Sequence, residues 1–202
     1  AVALAKSIVD VANGAGVKTS ALLTSMHQPL ASAAGNAVEV REAVRFLQGE
    51  CTGSRIESVV IALCSELLQL AGLAQSGRDA EDQIKAVMTN GQALDRFSQM
   101  VTLLGGPSDF VEEIDAYLPQ ADISHQVTAT EAGYISAVDT RSLGIAVLEL
   151  GGGRRRAEDA IDYAVGLSDL AEVGQPIQVG DTLATIHAQT QGATEQAENT
   201  IR

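Results

Sequence analysis

Residues 19–42, TSALLTSMHQPLASAAGNAVEVRE, decide how the rest of the chain is read. Residues 17–23 are apolar and partly β-branched, the composition of a strand buried on both faces. Met26-His27-Gln28-Pro29 then interrupts the run, because Pro29 has no amide donor and biases Gln28 toward extended geometry. Gly35-Asn36 opens a helix in which Ala37, Val40, Ala43, Val44 and Leu47 recur at helical spacing. A buried strand that delivers a tight turn into an acidic amphipathic helix is the arrangement at which α/β proteins build sites.

Outward from this stretch, the first half reads as helical. Residues 1–13 form a helix that stops at Asn13-Gly14, a left-handed stop signal. After the helix at 34–47, Ser54 caps a long one over 55–70, closed by Gly72. Another runs from Asp79 or Ala80 to Met88 and stops at Asn90-Gly91. A further helix over 92–104 is stopped by Gly105-Gly106-Pro107, and Ser108 caps a short helical turn carrying Phe110 and Val111. After Leu118-Pro119 the texture changes. Residues 125–129, 133–138, 145–150 and 182–187 are short strands separated by glycine turns, with a brief helix at 157–163. The rhythm is that of a small sandwich of hairpins, shared by lipoyl and biotinyl carriers, but those present a lysine at a hairpin tip and no lysine follows residue 85. An α+β domain is therefore preferred, and the chain divides into 1–118 and 119–202.

Composition sets limits. A chain of 202 residues, 46% apolar, has one or two domains and enough material for a core. Thirteen Lys+Arg against 26 Asp+Glu give a net charge of −13, which leaves no basic stripe for a phosphate backbone. Aromatic residues make up 3% with no Trp, so base-stacking platforms are also absent and nucleic acid is not an expected partner. Cys51 and Cys64 lack metal or redox spacing; Cys64 sits in an apolar helical run and reads as a small core residue, Cys51 as a turn thiol, and the pair suits a reducing, cytoplasmic setting. No apolar run has membrane-spanning length, and no signal peptide precedes the first helix. The chain starts at Ala1 with helical periodicity and no capping residue, and stops at Arg202 inside the helix-compatible run 193–202. Both ends therefore read as cut.

Few residues invite a chemical role. His27 beside the turn could serve as an acid–base group, but a hydrogen-bonding turn residue is the simpler reading; His125 and His187 are isolated, and none of the three is assigned a role. Gly151-Gly152-Gly153-Arg154-Arg155-Arg156 has the look of an anion cradle. It lacks the context of a nucleotide loop, so a turn whose arginines pair with Glu158, Asp159 or other carboxylates is preferred. Glu112-Glu113 and Glu158-Asp159 fall near helix starts, where acids complement the dipole. Glu39 and Glu42 read, by themselves, as solvated helix charges pairing with Arg41 and Arg45.

The order M-x-Q-x-L-A-S-x-A-G-N-A-V-E-V-R-E-A-V from Met26 to Val44 closely resembles the bacterial-type thymidine phosphorylase family. The likeness continues through GPSDFVE from Gly106, DTRSLGIAV from Asp139, LGGGRRRAEDAIDYAVG from Leu150 and GDTLATIHA from Gly180, and so covers essentially the whole chain. It implies an α/β fold class: the second, mostly helical half of the large glycosyltransferase-type α/β domain (1–118), then a C-terminal α+β domain (119–202). It implies a pentosyltransferase of pyrimidine salvage, the reversible phosphorolysis of thymidine to thymine and 2-deoxyribose 1-phosphate, in a cytoplasmic homodimer. Phosphate would be co-substrate and no organic cofactor is implied. In such a family the phosphate loop and catalytic groups lie before residue 1, so no catalytic residue is carried over, no substrate-binding residue is assigned, and this chain alone is expected to be inactive. What the likeness does carry over is a potassium or other monovalent-cation site, from the backbone carbonyls of Leu30 and Ala33 and the carboxylate of Glu42. A broader pyrimidine-nucleoside phosphorylase is the near neighbour, and a non-catalytic scaffold or binding protein of the same fold is the alternative from another class.

Overall fold

A computed structural model describes all 202 residues. In chain order the elements are α1 (Val2–Gly14), β1 (Ala34–Gly35), α2 (Ala37–Leu47), α3 (Arg55–Leu70), α4 (Gly77–Thr89), α5 (Gln92–Leu103), α6 (Ile114–Tyr117), β2 (Ile123–Thr128), β3 (Gly133–Tyr134), α7 (Thr140–Val147), β4 (Gly166–Ser168), β5 (Pro176–Ile177), β6 (Thr182–Ala188) and α8 (Gln191–Ile201). The chain is a mixed helix-and-sheet protein. Its contacts gather into two units, residues 1–25 with 46–96, and residues 26–45 with 97–202.

The first unit is helical. Ser54 and Ser76 cap α3 and α4 by accepting the amides of Glu57 and Asp79, each satisfying one otherwise unpaired donor of the first turn. Gly72 and Gly91 close the two helices with φ of 72° and 82°. α1 buries none of its residues, and its Val2, Leu4, Ile8 and Val11 are exposed. Residues 17–23, expected as a buried strand, form no strand, and Val17, Leu22 and Leu23 are exposed. A strand exists by pairing, and every regular element of this unit is a helix, so the segment's amides and carbonyls have no ladder to join.

The second unit is built on a four-stranded antiparallel sheet in the order β1-β4-β6-β2, with β3 and β5 forming a separate pair. Period-two alternation puts Ala184, Ile186 and Ala188 of β6 on the core face, each fully buried. Leu167 of β4 sits opposite Ile186, and Val127 of β2 opposite Ala184. Leu143, Val147 and Leu150 join this cluster together with Ala197 of α8.

Three other expectations are corrected. Residues 145–150 are not a strand: α7 ends at Val147 and a π-type turn spans Leu148–Gly152. Leu143, Ala146, Val147 and Leu150 are all buried at i, i+3, i+4, i+7, and this helical period overrides the strand-like apolar run Ile145-Ala-Val-Leu. Asp139 supports the helix start by accepting the amides of Arg141 and Ser142, both at 3.1 Å. Residues 157–163 form no helix, because the Asp159 carboxylate takes the amides of Arg155 and Arg156 at 3.1 and 2.8 Å and closes a turn instead. Ala34 and Gly35, read as the head of a helix, pair as β1 with Leu167 and Gly166. The short helical turn expected to carry Phe110 and Val111 is present: the Glu113 amide donates to the Asp109 carbonyl at 2.9 Å, both side chains are buried, and α6 follows at Ile114.

Candidate functional site

The turn that follows Pro29 is held at several points of the second unit. The Val173 amide donates to Gln28 Oε1 at 2.7 Å, the Thr140 hydroxyl to the Met26 carbonyl at 3.0 Å, and the Leu170 amide to the Ser32 carbonyl at 3.0 Å. Two residues later the chain enters β1, where Gly35 and Gly166 face each other as register partners with φ of 154° and 155°. A Cβ on Gly166 would lie 2.6 Å from the Ala34 carbonyl oxygen, and one on Gly35 would lie 2.9 Å from that of Val165. Only two glycines permit this approach, and it delivers the turn directly to the start of α2.

Glu42 lies on the second turn of α2 and is 8% exposed, unusual for a carboxylate. The Ser32 hydroxyl donates to Glu42 Oε1 at 2.7 Å, so a carboxylate oxygen stands against the side chain of a turn residue ten positions earlier. The other oxygen, Oε2, faces Arg45 Nη1 at 3.7 Å, a long contact to an exposed guanidinium. Glu39 behaves differently: its Oε1 accepts the Gly35 amide at 2.7 Å, a helix-start contact. Arg41 reaches Asp115 of α6 at 3.0 Å rather than pairing along its own helix. Of the two acids, only Glu42 is buried at the turn. Ala33 is buried and Leu30 is half exposed. A buried carboxylate bonded to a turn residue flanked by backbone carbonyls is an oxygen donor set suited to a hard cation. These residues fit a monovalent ion.

The remaining candidates have structural partners. His27 is exposed. His125 Nε2 donates to Glu198 Oε2 at 3.0 Å, joining β2 to α8 through residues too distant in sequence for any spacing rule to link. Arg202 holds the Glu198 carboxyl below its ordinary range, with His125 adding to the effect. Ser168 gives its one proton to Asp169 Oδ2 at 3.0 Å, so His187 Nε2 donates to the Ser168 oxygen at 2.9 Å. Burial pushes the His187 imidazole below its usual value; Asp169 partly offsets this and Arg41 reinforces it. In the glycine–arginine run, Arg155 pairs with Glu149 at 3.3 Å while Asp159 occupies the amides of Arg155 and Arg156. The cradle that a phosphate would need is filled by the protein's own carboxylate. No group of three or more His, Cys, Asp or Glu side chains gathers to hold a metal, and no helix is long and apolar enough to cross a membrane.

Comparison with known families agrees with this architecture. Residues 1–94 match the α/β domain of the glycosyl transferase family, and residues 134–202 match the pyrimidine nucleoside phosphorylase C-terminal domain. The class defined is a pentosyltransferase-type protein, with its glycosyl transferase α/β segment first and an α+β domain after it. The chain belongs to the thymidine/pyrimidine-nucleoside phosphorylase family.

Proposed function

We propose that the protein serves the reversible phosphorolysis of thymidine, giving thymine and 2-deoxyribose 1-phosphate. The observation that carries this reading is the order of the two family matches along one chain, with the nucleoside phosphorylase domain closing it. The wording L-A-S-x-A-G-N-A-V-E-V-R-E at the turn favours thymidine over a broad pyrimidine range. The reaction develops positive charge on the sugar and negative charge on the departing base. Its catalysis needs hydrogen-bond donors that hold the phosphate and cationic groups preorganised around those charges. No residue here is assigned to that task. The contribution of this chain is scaffold and a supporting site: Leu30 and Ala33 carbonyls with the Glu42 carboxylate would hold potassium or a similar ion, whose chemistry is charge neutralisation at a fixed point. A homodimer and a cytoplasmic setting accompany the reading.

The test is phosphate-dependent release of thymine, measured chromatographically from thymidine, deoxyuridine and uridine. It is run with this chain alone and with the polypeptide encoded by its complete reading frame. The expected result is no turnover by the former and phosphate-dependent thymidine cleavage by the latter. Equal turnover of uridine would shift the reading to a broad pyrimidine-nucleoside phosphorylase. No phosphate-dependent cleavage from the complete polypeptide would leave a scaffold or binding protein, and turnover by this chain alone would overturn the division of labour.

A further inference from the structure

Two contacts of the Glu42 carboxylate oppose each other in effect. Ser32, on the turn itself, donates a hydrogen bond to Oε1 at 2.7 Å. Arg45, three residues further along α2, faces Oε2 at 3.7 Å from an exposed position. The first contact is short and points the carboxylate inward toward the turn. The second is long and brings a positive charge to the same carboxylate, where it opposes a bound cation. We infer that Ser32 is a positioning residue for the cation turn, holding the Glu42 carboxylate in place against the pull of Arg45, and that cation affinity depends on its hydroxyl. This rests on the reading that the turn binds a monovalent ion.

The physics sets the direction for each variant. Hydrogen bonds to a carboxylate are stronger than neutral ones, whereas an exposed arginine contact at this distance is weak and screened. With Ser32 present the carboxylate stays at the turn. Without it, the hold of the turn on Oε1 is lost while the Arg45 contact at Oε2 remains, which weakens a ligand and leaves its charge the more neutralised. The backbone of the turn is held separately, by the Leu170 amide on the Ser32 carbonyl and by the β1–β4 pairing. Loss of the hydroxyl therefore leaves the carbonyls of Leu30 and Ala33 where they are.

The experiment is a potassium titration of the thermal midpoint of the 202-residue chain, with choline chloride holding ionic strength constant. The wild-type midpoint should rise with potassium and not with choline. Ser32→Ala should need about tenfold more potassium for the same rise, from the loss of one charge-assisted hydrogen bond. Ser32→Thr, which keeps the hydroxyl, should titrate like wild type, and Glu42→Gln should lose the potassium response. Arg45→Gln leaves Ser32 untouched and should respond at several-fold lower potassium, so the inference stays testable even if Ser32→Ala fails to fold. A potassium response of Ser32→Ala equal to wild type, or of Arg45→Gln no tighter than wild type, would overturn the role of Ser32 and leave the cation reading standing. A wild-type chain indifferent to potassium would remove the cation site and this inference with it.

Discussion

Gly166→Ala is the sharpest perturbation the fold offers. At a φ of 155° an alanine pays backbone strain of about 1–3 kcal/mol, a conformation that glycine adopts freely. Its methyl would also stand 2.6 Å from the Ala34 carbonyl oxygen and 2.9 Å from Val38 Cγ2. The Val38 methyl can rotate away. The carbonyl cannot, because it belongs to the strand that pairs with Gly166, and opening that contact costs about another 1–3 kcal/mol by analogy with overpacked cores. The sum, about 2–6 kcal/mol, is comparable with the free energy that holds a small domain together. The result should be local release of β1 from β4, and with it loss of the fixed turn at Ser32. Hydrogen–deuterium exchange read on peptides covering 26–45 should show protection falling by at least tenfold. Urea unfolding should lose at least 2 kcal/mol. Gly180→Ala is the control: its φ is also positive, at 92°, but nothing lies within 4 Å of the added methyl, so strain alone remains. If Gly166→Ala proved no worse than Gly180→Ala, the close approach would not be a constraint and the reasoning about how the turn is held would fail.

Two further outcomes follow from particular side chains. Burial lowers the His187 pKa, so the unfolded chain takes up a proton near pH 6.5 that the folded chain refuses; stability is full above that pH and declines as pH falls through it toward the lower folded value. His187→Gln should flatten the thermal midpoint between pH 7 and 5, and an unchanged slope would refute the assignment. Thr190 caps α8 by accepting the Ala193 amide at 3.2 Å, so Thr190→Ala should cost about 1 kcal/mol in urea unfolding, with Thr190→Ser restoring most of it.

What could be read in advance follows how local each signal is. α3 shows its start in Ser54 and its end in Gly72, both within a few residues of the helix they bound. β6 shows an alternation long enough to count. β4 offers three residues beginning with glycine, and its status depends on Gly35, far away in sequence, so no window would reveal it. Residues 17–23 show the reverse: β-type composition is plain, yet the segment pairs with no strand. At the candidate site, Glu42 could be named only through family likeness, since nothing in a helical charge pattern distinguishes a buried acid from a solvated one. Ser32 carries no signal of partnership in the sequence because hydroxyls are common in turns; its bond to Glu42 crosses from loop to helix and becomes visible only in three dimensions.

The pairing of β1 with β4 also constrains when the turn can exist. Residues 34 and 35 leave the ribosome well before their partners, residues 167 and 166, and before the Leu170 amide that takes the Ser32 carbonyl. Contacts between segments so far apart in sequence are slow to form, because the intervening chain must first be ordered. During translation the first unit's helices can form from local signals such as Ser54 and Ser76, while residues 26–35 must wait for their partners at residues 140–173. A nascent chain stalled before residue 166 would therefore carry formed helices and no turn, and the candidate cation site would appear only once residues 166–170 have emerged.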